Sequence, residues 1–89
     1  MEIRLLRDGR EVISFAVQYL AEIQGRWHAI VRFDTAHTKP HMDTLWPDGR
    51  KETLDLHDLD KNRAFTYAIS DIKSHWEFYR VRYQRAMSQ

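Results

Sequence analysis

The spacing of the apolar residues changes once along this chain, and that change limits the folds open to it. Between Glu11 and Asp34 apolar and polar residues alternate, which is typical of antiparallel strands with one buried face. After Leu56 the apolar residues recur every three or four positions, the spacing of one helix face. The chain therefore predicts a sheet followed by one long helix.

Turn signals divide the sheet region into strands. Asp8-Gly9, Gln24-Gly25 and Pro47-Asp48-Gly49 are short sequences that favour tight turns. We expect an α+β fold, an antiparallel four- to five-stranded β-meander covered on one face by a single long C-terminal α-helix. The predicted core face of the second strand is Ile13, Phe15, Val17, Tyr19, Ala21 and Ile23, and that of the third is Trp27, Ala29, Val31 and Phe33.

The helix is predicted to run from near Leu59 to near Met87, with Asp58 or Asp60 as its N-cap. Its core stripe is predicted to be Phe65, Ile69, Ile72, Trp76, Tyr79, Tyr83 and Ala86. Three further apolar residues, Tyr67, Phe78 and Val81, project from the other side. They are either scattered surface residues or a second interface, most simply that of a homodimer.

Size and composition exclude several classes of protein. With 89 residues the chain is expected to form one domain spanning residues 1–89, since two would each lack a sufficient core. The net charge of +1 provides no global field for nucleic acid or an anionic membrane. Absence of cysteine excludes disulfides and thiolate chemistry. We expect a cytoplasmic protein that has no membrane contact and needs no cofactor.

Ionisable residues concentrate between Arg32 and Asp43, where a strand ends, a loop follows and the next strand begins. By strand alternation Arg32 and Asp34 share one face of their strand, and His41 and Asp43 share one face of the next strand. If the two strands pair, these four side chains are expected to converge with His37.

Three chemistries fit such a cluster. In metal-independent RNA cleavage, His37 and His41 would act as general base and general acid. Arg32 or Lys39 would stabilise the negative charge of the phosphorane. In a metal site, His37 and His41 would bind a divalent ion together with Asp34 or Asp43. In a purely structural role, Arg32 pairs with Asp43, Asp34 closes an Asx-type turn and the histidines are solvated.

The segments Val31-Arg32-Phe33-Asp34-Thr35-Ala36-His37, His41-Met42-Asp43, Ala68-Ile69-Ser70-Asp71-Ile72 and Trp76-Glu77-Phe78-Tyr79-Arg80 carry a resemblance. The chain resembles a group of uncharacterised small prokaryotic proteins with an Arg-aromatic-Asp…His…His core. It is also similar to the TumE-type toxins of toxin–antitoxin pairs, although Thr35 stands where their pattern has asparagine.

This resemblance implies Arg32, Asp34, His37 and His41 as site residues, with Asp71 as a contribution from the helix. The leading prediction is a small toxin-like protein that acts on or binds RNA. The alternative is a non-enzymatic interaction or regulatory module, working as a homodimer or with a small protein partner.

Overall fold

The computed structural model describes residues 1–36 and 39–88, which form five strands and one long helix. The strands are β1 (Glu2–Asp8), β2 (Glu11–Ile23), β3 (Arg26–Asp34), β4 (His41–Leu45) and β5 (Lys51–Asp55), followed by α1 (Lys61–Met87). Every neighbouring pair is antiparallel, in the order β1-β2-β3-β4-β5. The predicted α+β meander with one C-terminal helix is confirmed, with five strands.

A β-bulge in β2 corrects one predicted core residue. Leu6 pairs with Ser14 and Arg7 pairs with Val12, so Ile13 is the extra residue of the bulge. The bulge changes the phase of the alternation. Val12 is therefore buried, whereas Ile13, predicted in the core, is 41% exposed.

A second bulge corrects the third strand. Tyr19 pairs with Val31 and Leu20 pairs with Ala29, so Ile30 has no partner in the register. Ile30 and Val31 are consecutive and both buried. Before the bulge the faces are exchanged, so Trp27, predicted in the core, is exposed instead.

The helix begins where its capping residue predicts. Asp60 is the N-cap, and its Oδ1 accepts a hydrogen bond of 2.8 Å from the backbone N–H of Arg63. The buried helix residues are Ala64, Ala68, Ile72, Tyr79 and Tyr83. The contact line therefore runs through two alanines, whose small side chains let the helix backbone lie close to the sheet. The helix is thus rotated about its axis relative to the prediction. Trp76, predicted in the core stripe, is 43% exposed as a result.

The start of α1 also holds the bulge of β2. The Asn62 side chain accepts a hydrogen bond from the Val12 N–H at 2.9 Å and donates one to the Arg10 carbonyl at 3.0 Å. Lys61 Nζ donates to the Ile13 carbonyl at 2.9 Å. Backbone groups around the bulge are thus satisfied by the helix, which ties the two elements together.

Asn62→Ala is expected to lower the free energy of unfolding by about 2 kcal/mol, because it removes the acceptor for the Val12 N–H and the donor to the Arg10 carbonyl. Urea denaturation followed by circular dichroism measures the change. The matched control is Arg63→Ala, one position further along the helix at an exposed site, which should change stability by less than about 0.5 kcal/mol. Equal effects of the two substitutions would contradict this role for Asn62.

α1 packs on β2 and β3 from one side only. The opposite side of the sheet, called the open face below, carries polar side chains of β2, β3, β4 and β5: Gln18, Arg32, Asp34, His41, Asp43 and Thr53. Within the described residues, no helix combines the length and apolarity needed to cross a bilayer.

Candidate functional site

The register of β3 and β4 brings the predicted residues together on the open face. Arg32 pairs with Asp43, and Asp34 pairs with His41. Their neighbours in the chain, Val31 and Phe33, are fully buried on the helix side. Alternation thus directs the apolar side chains into the core and the ionisable ones to the open face.

His41 is the centre of the cluster. Its Nε2 lies 2.7 Å from Asp34 Oδ1 and 3.7 Å from Asp43 Oδ2. Its Nδ1 lies 3.2 Å from the carbonyl oxygen of Lys39. A carbonyl oxygen can only accept, so this contact assigns the hydrogen to Nδ1. Nε2 then faces the carboxylates of Asp34 and Asp43. Either a second hydrogen on Nε2 or a bound cation can lie between this nitrogen and the carboxylate oxygens.

Asp43 is held in place by the next strand. The residue is only 3% exposed. Its Oδ1 accepts a hydrogen bond of 2.7 Å from the Thr53 hydroxyl, across the β4–β5 pair. This bond leaves Oδ2 directed toward His41. A buried carboxylate needs such partners, because desolvation of its charge is costly.

Asp34 lies at the point where β3 ends. Its Oδ1 accepts the Ala36 N–H at 3.3 Å, the Asx-type turn predicted above. The following residue, Thr35, is buried and its hydroxyl oxygen accepts the Phe15 N–H at 3.0 Å. The Thr35 N–H donates to the Phe15 carbonyl at 3.1 Å. Thr35 thereby anchors the end of β3 to β2 and fixes the position of Asp34.

Arg32 contacts the other flank of the cluster. Its Nε donates to Gln18 Oε1 at 3.1 Å. Among the ion pairs of the described residues there is none between Arg32 and Asp43, so the predicted pairing is one of register only. The guanidinium lies beside a shallow cavity of about 360 Å³, which Arg4, Gln18 and Asp34 also line.

A second shallow cavity, of about 340 Å³, lies on the opposite flank of His41. Lys39, Asp43 and Thr53 are among its lining residues. The His41 cluster therefore separates two polar depressions on the open face, with an arginine pair beside one and Lys39 beside the other.

Two predicted contributors are not part of this arrangement. His37 lies outside the described residues. Asp71 is on α1, which covers the other face of the sheet, so it is separated from His41. Asp71 instead accepts a hydrogen bond of 2.5 Å from the Tyr79 hydroxyl and lies 3.2 Å from His75 Nδ1. Burial and the neighbouring Asp71 carboxylate raise the pKa of Tyr79, which keeps the phenol a donor.

Thr53, Gln18 and Thr35 hold the cluster but were not predicted as part of it. The sequence contained a signal for Thr53, because Lys51, Thr53 and Asp55 alternate with apolar Leu54 and Leu56. Thr53 could be matched to Asp43 only once the β4–β5 register was known. Thr35 acts through its hydrogen bonds to Phe15 of β2, and Gln18 acts through its hydrogen bond with Arg32 of β3. Alternation along one strand does not reveal such contacts between strands.

The cluster also has the composition of a cation site. One nitrogen of His41 and one carboxylate oxygen each from Asp34 and Asp43 lie within 4.8 Å of one another. Imidazole and carboxylate are ligands of zinc, manganese and iron. The same three side chains also form an ion-paired triad without a metal, as His41 flanked by two acids.

Comparison with known proteins gives a family but no activity. No curated protein matches the chain, and no solved structure matches it. The model of one family, a domain of unknown function (DUF7718), matches residues 1–89. Because that match covers the whole chain, the chain belongs to the DUF7718 family.

Proposed function

We propose that this protein binds RNA and acts on its phosphodiester backbone through the open face, in a toxin-like role. The observation that carries the proposal is the placement of His41, between Asp34 and Asp43, beside the cavity of Arg32 and Arg4. RNA as the substrate class is supported by the similarity to TumE-type toxins described above.

The arginine cavity fits a phosphate group. Arg4 and Arg32 come from β1 and β3 and line the same depression, together with the carboxylates of Glu2 and Asp34. Guanidinium groups bind phosphate oxygens through two parallel N–H donors. Because the Nε of Arg32 donates to Gln18, a phosphate would bind to the Nη groups of Arg32. A phosphate held there would lie beside Asp34 and its partner His41.

The charge of the open face favours a local contact with RNA over a long electrostatic groove. Asp34 and Asp43 repel the RNA backbone, and Glu2 and Asp55 add negative charge at the rims of the two cavities. Attraction must therefore come from the four cations that line these cavities, Arg4, Arg32, Lys39 and Lys51. The net charge of +1 agrees with this expectation of a short binding site. Because few phosphates would be neutralised, the affinity for RNA is expected to fall only gradually as the salt concentration rises.

Arg32→Ala is expected to weaken binding of a fluorescein-labelled single-stranded RNA about tenfold, because it removes a charge-assisted contact to phosphate. Fluorescence anisotropy at about 50 mM salt measures the affinity. His41→Ala should lose cleavage of the same oligonucleotide on denaturing gels.

Arg63→Ala is the matched control, since Arg63 lies on α1, away from the open face. It should bind and cleave like the wild type. If wild-type protein neither binds nor cleaves the RNA, or if Arg63→Ala weakens binding as much as Arg32→Ala, the proposal is wrong.

A second candidate function is that of a homodimeric interaction module, and one surface favours it. A groove of about 510 Å³ lies between the C-terminal half of α1 and the β4–β5 hairpin. Phe78 and Val81 line it and are 60% and 43% exposed. The Arg82 guanidinium lies 5.1 Å from the Trp46 ring centroid and 5.3 Å from that of Phe78. Stacked arginines and exposed aromatics are typical of protein interfaces.

The groove is smaller than the surface predicted from the sequence. Phe78 and Val81 belong to it, but Tyr67 does not line it. Tyr67 instead packs its ring against Phe33 with centroids 5.9 Å apart, so it contributes to the helix–sheet contact.

If two copies associate through this groove, Phe78→Glu should convert the dimer to a monomer, because it places a charge at the centre of the buried surface. Size-exclusion chromatography with light scattering measures the mass. Trp27→Glu is the control, because Trp27 is a large exposed aromatic outside the groove. A wild-type mass of one chain, or a dimer that persists in Phe78→Glu, would contradict the interaction module.

A further inference from the structure

We propose that Asp34, His41 and Asp43 bind one divalent transition-metal cation on the open face. This inference deepens the proposed function and rests on it in one respect, that the cation would help to hold the phosphate beside Arg32. Binding of the cation itself requires only the three side chains.

The distances in the cluster are close to those of a coordination site. With metal–ligand bonds of about 2.1 Å, neighbouring ligand atoms lie about 3.0 to 3.4 Å apart. The two separations from His41 Nε2 are 2.7 Å to Asp34 and 3.7 Å to Asp43, one on each side of that interval. Shifts of a few tenths of an ångström in each side chain would therefore admit an ion.

The groups behind the ligands have the orientation that metal sites use. A histidine ligand commonly donates its second ring N–H to a carbonyl or carboxylate, which directs the other nitrogen at the metal. His41 Nδ1 has such a contact with the Lys39 carbonyl, leaving Nε2 for the ion. Asp43 Oδ1 is occupied by the Thr53 hydroxyl, leaving Oδ2 on the same side as Nε2.

Charge and burial favour the same conclusion. Two carboxylates and a neutral imidazole carry a charge of −2, which a divalent cation neutralises. The side chains of His41, Asp34 and Asp43 are only 19%, 14% and 5% exposed, so water screens their charges weakly. In contrast, His57 also lies near two carboxylates, those of Asp55 and Asp58, but its side chain is 64% exposed.

The site would keep open positions. Three protein ligands leave at least one coordination position free, as in catalytic metal centres. The flanking cavities provide space there for water or a phosphate oxygen, next to Arg32 on one side and Lys39 on the other. An ion in this position would offset the repulsion that Asp34 and Asp43 exert on RNA.

Titration of Zn²⁺ into chelator-treated protein without a histidine tag, followed by calorimetry, tests the proposal. We expect saturable binding of one ion per chain. Asp43→Asn and His41→Ala should each weaken binding by tenfold or more, because each removes a ligand. Thr53→Val should weaken it about tenfold, because it removes only the hydroxyl that orients Asp43. Co²⁺ should give visible absorption bands that are lost in the same variants.

His57→Ala is the matched control and should bind Zn²⁺ like the wild type. Circular dichroism identifies any variant that fails to fold. If one of the ligand variants, Asp43→Asn or His41→Ala, is unfolded, Asp34→Asn takes its place, because Asp34 lies at a partly exposed site. Absence of saturable binding, or binding that depends on His57 and not on Asp43, would overturn the proposal. Anisotropy with RNA, measured both with Zn²⁺ and with chelator, separates the two proposals. Metal binding without RNA binding under either condition contradicts only the proposed function, and RNA binding by a protein that binds no metal contradicts only this inference.

Discussion

The packing of one helix against one face of a five-stranded sheet is the contact on which the rest of this structure depends. Ala64 and Ala68 are fully buried and belong to one core cluster with Phe15, Val17 and Phe33. Burial of apolar surface in this layer supplies the main driving force for folding. Because the described part of the chain has a single helix, the other face of the sheet remains available to polar groups.

The same alternation therefore builds the core and the candidate site. In the run Val31-Arg32-Phe33-Asp34 the first and third residues are buried under the helix, and the second and fourth point to the open face. A shift of one residue in the β3–β4 register would exchange the two sets. The stability of the apolar layer thus determines the position of the ionisable cluster, and Thr35 fixes the end of the strand against β2.

Alternation and turn residues were sufficient to predict the meander and the convergence of Arg32, Asp34, His41 and Asp43. They left two candidates for the helix N-cap, Asp58 and Asp60, of which Asp60 is the cap. They were insufficient where the backbone departs from regular geometry. Ile13 and Trp27 were misplaced because bulges change the phase of a strand without a marked change in composition. Trp76 was misplaced because the rotation of the helix depends on how closely two alanines approach the sheet. Asp71 required knowledge of which face the helix covers, and Thr53 required the β4–β5 register.

Crystallography with anomalous scattering would show whether the open-face cluster around His41 holds a cation. Data collected at the zinc absorption edge from crystals grown with Zn²⁺ would locate bound ions without reference to any assay. We expect an anomalous peak about 2.0 to 2.2 Å from His41 Nε2 and from one oxygen each of Asp34 and Asp43. An empty cluster in which His41 remains directly paired with Asp34, with zinc bound only elsewhere on the surface, would contradict it.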